Sequence, residues 1–114
     1  MDKKKMLDAA RFIMNDCKRD LGIGGVNVGL SSGDIGANYG LAKLGRLAIE
    51  ISDRHIKSFR QLALTVAHEV RHIWQAVTGF KFSSPSVDYS SRNEEIDAER
   101  YAQKYNNVPE TCLE

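Results

Sequence analysis

Much is missing from this sequence, and each absence excludes a class. No stretch of its 114 residues approaches the roughly 18 consecutive apolar residues of a membrane span. Neither sign of charge dominates: 16 Lys and Arg against 15 Asp and Glu leave a net charge of +1, so no basic surplus points to nucleic acid as a ligand. Cysteine is scarce, with Cys17 and Cys112 near opposite ends of the chain. That is too few for a disulfide-built fold, and both thiols are expected to be reduced. The N-terminal Met1-Asp2-Lys3-Lys4-Lys5-Met6 is basic, but the residues after it are amphipathic and lack the apolar stretch of a signal peptide. A cytoplasmic protein is therefore expected. No repeat, low-complexity tract or linker divides the chain. Gly22-Ile23-Gly24-Gly25 has neither the following helix nor the lysine of a phosphate-binding loop. No local signature sets a Ser or Cys nucleophile beside a histidine.

What remains is an ordinary globular composition, 42% hydrophobic and 27% charged, of a length that makes one domain over residues 1–114. Residues 4–21 read as a first helix: Leu7, Ala10, Phe12, Ile13, Met14, Cys17 and Leu21 recur at helical spacing, and Gly22 supplies the stop. Cys17, on that apolar stripe, reads as a small buried hydrophobe. Residues 26–52 are rich in glycine and β-branched residues, with a turn signal at Ser31-Ser32-Gly33-Asp34. They suggest a small antiparallel sheet with strands near 26–30, 38–43 and 46–52. Ser58 to Gln61 fits a capping box opening a second helix, which Gly79 ends. Its apolar stripe runs through Phe59, Leu62, Ala63, Val66, Val70, Ile73, Trp74 and Val77. Arg71 and Gln75 fall on its outer side, where Arg71 reads as a surface or ion-pair residue. A Ser-rich loop, 83–91, precedes a third helix from about Arg92 to Asn106-Asn107, with Ser91 and Glu94 as a second capping box. The expected class is α+β.

The informative segment is His68-Glu69-Val70-Arg71-His72, inside the second helix. Residues i and i+4 lie one above the other on a helix, so both imidazoles reach one metal ion. The glutamate between them lands close enough to deprotonate a water that the metal activates. With three histidines and seven glutamates in the chain, random placement yields this pattern on the order of 0.005 times. Two solvated histidines on an outer helix face are the bland alternative, but Leu64 to Ala67 and Ile73-Trp74 are apolar for a helix with a fully solvated side. A catalytic zinc site needs a third protein ligand and an open position. The candidates are His55, Glu94 and Glu95. Glu94 already has a local role in its capping box. Glu95 adjoins the small-residue face of Ala98 and Ala102, where the third helix can approach a neighbour closely. Glu99, one turn on, can hydrogen-bond a liganding imidazole.

His68-Glu69-x-x-His72 followed by Glu95-x-x-Ala98-Glu99-x-Tyr101-Ala102 resembles the gluzincin pattern of zinc metallopeptidases. The compact chain is similar to the minigluzincins, and the second motif also to the ImmA/IrrE type, zinc peptidases that act on repressors. The resemblance covers roughly residues 46–106. It implies a zincin-like domain in which His68, His72 and Glu95 bind Zn²⁺, Glu69 is the general base, and the acid four residues after Glu95 orients a zinc-bound histidine. Gluzincins commonly have aspartate where Glu99 stands. It also implies an edge strand along the cleft that binds substrate by strand addition, here 46–52 or 38–43.

The expected function is therefore a zinc-dependent endopeptidase acting on a peptide or protein substrate, with no nucleic acid or membrane partner. The alternatives are an ImmA/IrrE-like regulatory protease acting on a repressor, or a non-catalytic or latent zinc-binding protein. Tyr89, Arg92, His55 and Tyr39 are the residues that could donate to an oxyanion. The tail 108–114 is either a frayed end or a latency device. In the second case Glu110, Cys112, Glu114 or the terminal carboxylate would take the open zinc position, in the same chain or a partner's.

Overall fold

The computed structural model describes residues 2–110. Helix α1 spans Lys3–Asp20, and strands β1 Gly29–Gly33, β2 Gly40–Lys43 and β3 Ala48–Ser52 follow. Helix α2 then spans Phe59–Thr78 and helix α3 Asn93–Ala102, each 3-10 turn, Tyr89–Ser91 and Gln103–Tyr105, flanking α3. The class is α+β, as expected from the sequence. No helix among the described residues is long and apolar enough to cross a membrane.

The Asp2 carboxylate caps α1 by accepting the Lys4 N–H at 2.9 Å, and Gly22 turns the chain away with φ 73°. Met6, Ala10, Ile13, Met14 and Cys17 form the buried stripe of α1. Phe12 does not belong to it: it lies about 140° around the helix from that stripe and is 73% exposed. On α2 the Ser58 hydroxyl accepts the Gln61 N–H at 3.1 Å, while the Gln61 side chain accepts the Lys57 N–H at 2.7 Å. Gly79, at φ 78°, closes the helix in the left-handed conformation that glycine adopts without a Cβ penalty. Leu62, Val66, Val70 and Ile73 of α2 are wholly buried with Ile49 and Ile51 of β3. Val77, expected on this stripe, is 40% exposed.

The sheet order is β1-β3-β2. Strand β2 pairs antiparallel to β3, but β1 pairs parallel to it, with Gly29 opposite Ala48 and Gly33 opposite Ser52. The sheet is thus mixed. Ser31, Ser32 and Gly33, which carried the turn signal, belong to β1, and the turn comes later, where Asp34 accepts the Gly36 N–H at 3.1 Å and Gly36 takes φ 68°. This longer link crosses the end of β3, which fills the slot between β1 and β2. Central β3, the 46–52 strand, therefore has no free edge. Of the two strands offered for substrate pairing, β2 keeps one among the described residues.

The second capping box forms differently. Residue 92 is the N-cap of α3 and makes no side-chain cap. Instead, Ser83 reaches in from the loop: its hydroxyl accepts the Asn93 N–H at 2.8 Å and its own N–H donates to Glu94 Oε1 at 2.9 Å. The chemistry is that of a capping box, with the hydroxyl supplied by a residue 10 positions upstream.

Candidate metal centre

Helix α2 carries His68, Glu69 and His72 on adjoining turns, and α3 packs against it through the buried Ala98 and Ala102. The absence of larger side chains there lets α3 bring Glu95 up to both imidazoles. Glu95 Oε1 lies 3.0 Å from His68 Nε2 and 3.3 Å from His72 Nε2, and the two Nε2 atoms are 3.2 Å apart. Two nitrogens and a carboxylate oxygen thus converge on one point. Neighbouring donors around a tetrahedral ion at 2.0–2.1 Å are roughly 3.3 Å apart, so this donor set has the spacing that a small divalent ion requires. His68, His72 and Glu95 are close enough to hold a metal ion.

The outward nitrogens of both rings are engaged. His68 Nδ1 lies 3.4 Å from Glu99 Oε2, an exposed carboxylate, an ion-pair contact and not the hydrogen bond suggested by the sequence. His72 Nδ1 donates to Gln75 Oε1 at 2.8 Å. Gln75, read from the sequence as outward-facing, is fully buried. Its amide donates to the Glu94 carbonyl and to Asp97 Oδ2, both at 2.9 Å. Asp97 in turn accepts two hydrogen bonds from the Arg71 guanidinium, which lies over the Trp74 ring at 3.8 Å. Arg71 is the ion-pair residue expected; Gln75 stands at i+3 from His72, a spacing that allows their contact, but the two acceptors that bury it come from another helix.

Glu69 is buried beside the donors, and burial pushes its carboxyl above the usual carboxylate range, while His68 and His72 act in the opposite sense. It faces a cleft of about 330 Å³ walled by Ala37 to Gly40 on one side and by His68, Tyr89 and Glu99 on the other. The approach of β2 to α2 depends on Gly40. A Cβ there would stand 2.7 Å from Thr65 Cγ2 and 3.1 Å from Glu69 Cγ and Oε2.

The other candidates separate. His55 Nε2 bonds the Gly36 carbonyl at 2.7 Å, so His55 is not among the converging donors. Glu94 spends its carboxylate on Ser83. Of the possible oxyanion donors, Arg92 is tied to the Val87 and Pro85 carbonyls. Tyr39 and Tyr89 both line the cleft, and Tyr89 also borders a neighbouring hollow of about 530 Å³ along α3. Burial and the nearby Glu95 carboxylate raise the Tyr89 pKa, which keeps its hydroxyl a proton donor at neutral pH. In the tail, Glu110 bonds the Ser58 hydroxyl and pairs with Arg60 at the N-terminal end of α2, about 15 Å along the helix from His68. That position does not favour Glu110 as a blocking ligand. Cys112 and Glu114 lie outside the described residues.

No family model, curated protein or solved structure matches the chain.

Proposed function

We propose that this protein is a zinc-dependent peptidase of the gluzincin kind. The observation that carries the reading is the convergence of His68, His72 and Glu95 on one point, with the buried Glu69 carboxylate next to them on the wall of an open cleft. Two imidazoles and one carboxylate are the donor set of a catalytic rather than a structural zinc site. Zinc held by His68, His72 and Glu95 would supply Lewis acidity, lowering the pKa of water towards about 7 and polarising a carbonyl oxygen. Glu69 takes the proton of the attacking water and passes it to the departing nitrogen. Tyr89, protonated at neutral pH, donates to the carbonyl oxygen as negative charge develops there. The free edge of β2, which runs out of the cleft wall, offers main-chain hydrogen bonds to an extended peptide.

The test is a peptide-library digest with the zinc-loaded wild type and Glu69→Gln. Hydrolysis by the wild type, abolished by a chelator and absent from a Glu69→Gln variant that still holds zinc, is the expected result. An active Glu69→Gln variant would show that the carboxylate is not the base.

A further inference from the structure

We propose that Gln75 is the positioning residue of the metal centre: one buried amide that fixes which nitrogen of His72 faces the metal and also holds the stretch of α3 that carries Glu95. The proposal rests on the reading of His68, His72 and Glu95 as metal ligands. The neighbours of the Gln75 amide fix its orientation. Its nitrogen lies 2.9 Å from each of two oxygens, the Glu94 carbonyl and Asp97 Oδ2. Both are acceptors, and Asp97 is held as a carboxylate by the Arg71 guanidinium. Reversing the amide would set three oxygens against one another in a buried site, so only one orientation satisfies it. With the nitrogen committed, Oε1 is the atom facing His72 Nδ1 at 2.8 Å. An amide oxygen can only accept, so His72 Nδ1 must carry a proton. The remaining lone pair of the neutral ring is then on Nε2, the atom aimed at Glu95 and His68.

The same amide acts on the third ligand. Glu94 and Asp97 flank Glu95 on α3, so the two hydrogen bonds from Gln75 fix the helix segment from which Glu95 reaches the imidazoles. His68 has no equivalent: its Nδ1 partner, Glu99, is 67% exposed at the side chain. The preorganisation of the site is therefore concentrated on His72 and Gln75. Partners of this kind contribute 10–100-fold to metal affinity.

The test uses the full chain with ¹⁵N-labelled histidine, as wild type, Gln75→Met and Gln75→Glu, with zinc affinity measured by chelator competition. In the wild type we expect a slowly exchanging proton on His72 Nδ1, with and without zinc, at mildly alkaline pH. Gln75→Met should lose that proton's protection and bind zinc about 10–100-fold more weakly. Gln75→Glu keeps an acceptor for His72 but loses both donors to α3, so it should retain the proton and lose less affinity than Gln75→Met. A merely structural Gln75 would lower thermal stability and leave the proton and the zinc affinity unmoved. A folded Gln75→Met that binds zinc within about threefold of the wild type, or a wild type with no proton on Nδ1, overturns the proposal. Should Gln75→Met not fold, the wild-type proton and Gln75→Glu decide. A wild type that binds no zinc defeats the peptidase reading, whereas the Nδ1 proton, seen without metal, still decides the role of Gln75.

Discussion

Glu94 and Glu95 stand side by side on α3 and turn their carboxylates to different partners, one to the Ser83 amide and the other to two imidazoles. Exchange of each for glutamine separates the two roles. Glu95→Gln replaces a charged donor and should weaken zinc binding at least about tenfold, measured by metal content after dialysis. Glu94→Gln should retain zinc and change stability little in a denaturant titration, because a glutamine oxygen can still accept the Ser83 N–H, as Gln61 accepts that of Lys57. Ser83→Ala removes the hydroxyl that accepts the Asn93 N–H and should cost about 1 kcal/mol, the worth of a helix cap, with zinc retained. At this scale the sequence was legible where two candidate ligands share one helix. His68, Glu69 and His72 follow from the i, i+4 geometry alone. Glu95 could be narrowed to three candidates, because its helix had a small-residue face but its rotation against α2 could not be known. Gln75 was missed outright. A glutamine at the rim of an apolar stripe looks solvated until a carbonyl and a carboxylate from another helix come to meet it.

Between elements, the decisive contact is that of β2 with α2 at Gly40. The backbone there needs no special conformation; the constraint is space, since an added Cβ would meet Thr65 and Glu69. Gly40→Ala should therefore displace Glu69 and lower peptide hydrolysis more than tenfold with zinc retained. Adding Thr65→Ser, which removes the methyl in closest conflict, should recover part of the lost rate. Unchanged hydrolysis in Gly40→Ala would mean that the Glu69 position tolerates the shift. The helices were legible to within a residue or two where caps were local, as at Ser58 and Gly79. The strands were less so. β3 alternates cleanly around Ile49 and Ile51, but nothing local states that β1 runs parallel beside it, because direction and order are set by where the longer 34–39 link can cross. For the same reason the Ser83 cap of α3, supplied from a distant loop, replaced the Ser91 cap read from the sequence.

Over the whole molecule, the first helix and the last turns close on each other. The Asp20 carboxylate accepts hydrogen bonds from Tyr101 at 2.9 Å and Lys104 at 3.0 Å, and Asp16 accepts the Tyr105 hydroxyl at 2.7 Å. Lys104 and Tyr101 hold the Asp20 pKa below its ordinary 3.8. A depressed carboxylate stabilises the fold above its unfolded pKa and ceases to do so as the pH falls through the folded one. Asp20→Asn should therefore lower stability at pH 7, modestly because Asp20 is largely solvated, and the difference from wild type should shrink below about pH 4. Parallel denaturant titrations at the two pH values measure it. The α+β class and the helix that carries His68, Glu69 and His72 were readable from periodicity and spacing. The closure of α1 on the C-terminal turns was not, because it depends on polar side chains more than 80 residues apart. Peptidase chemistry at this site requires the metal, and elemental analysis of the purified wild type beside His72→Ala tests that most directly. One zinc per chain in the wild type and almost none in His72→Ala is the result predicted. No bound metal in the wild type, or equal zinc in the two proteins, would contradict it.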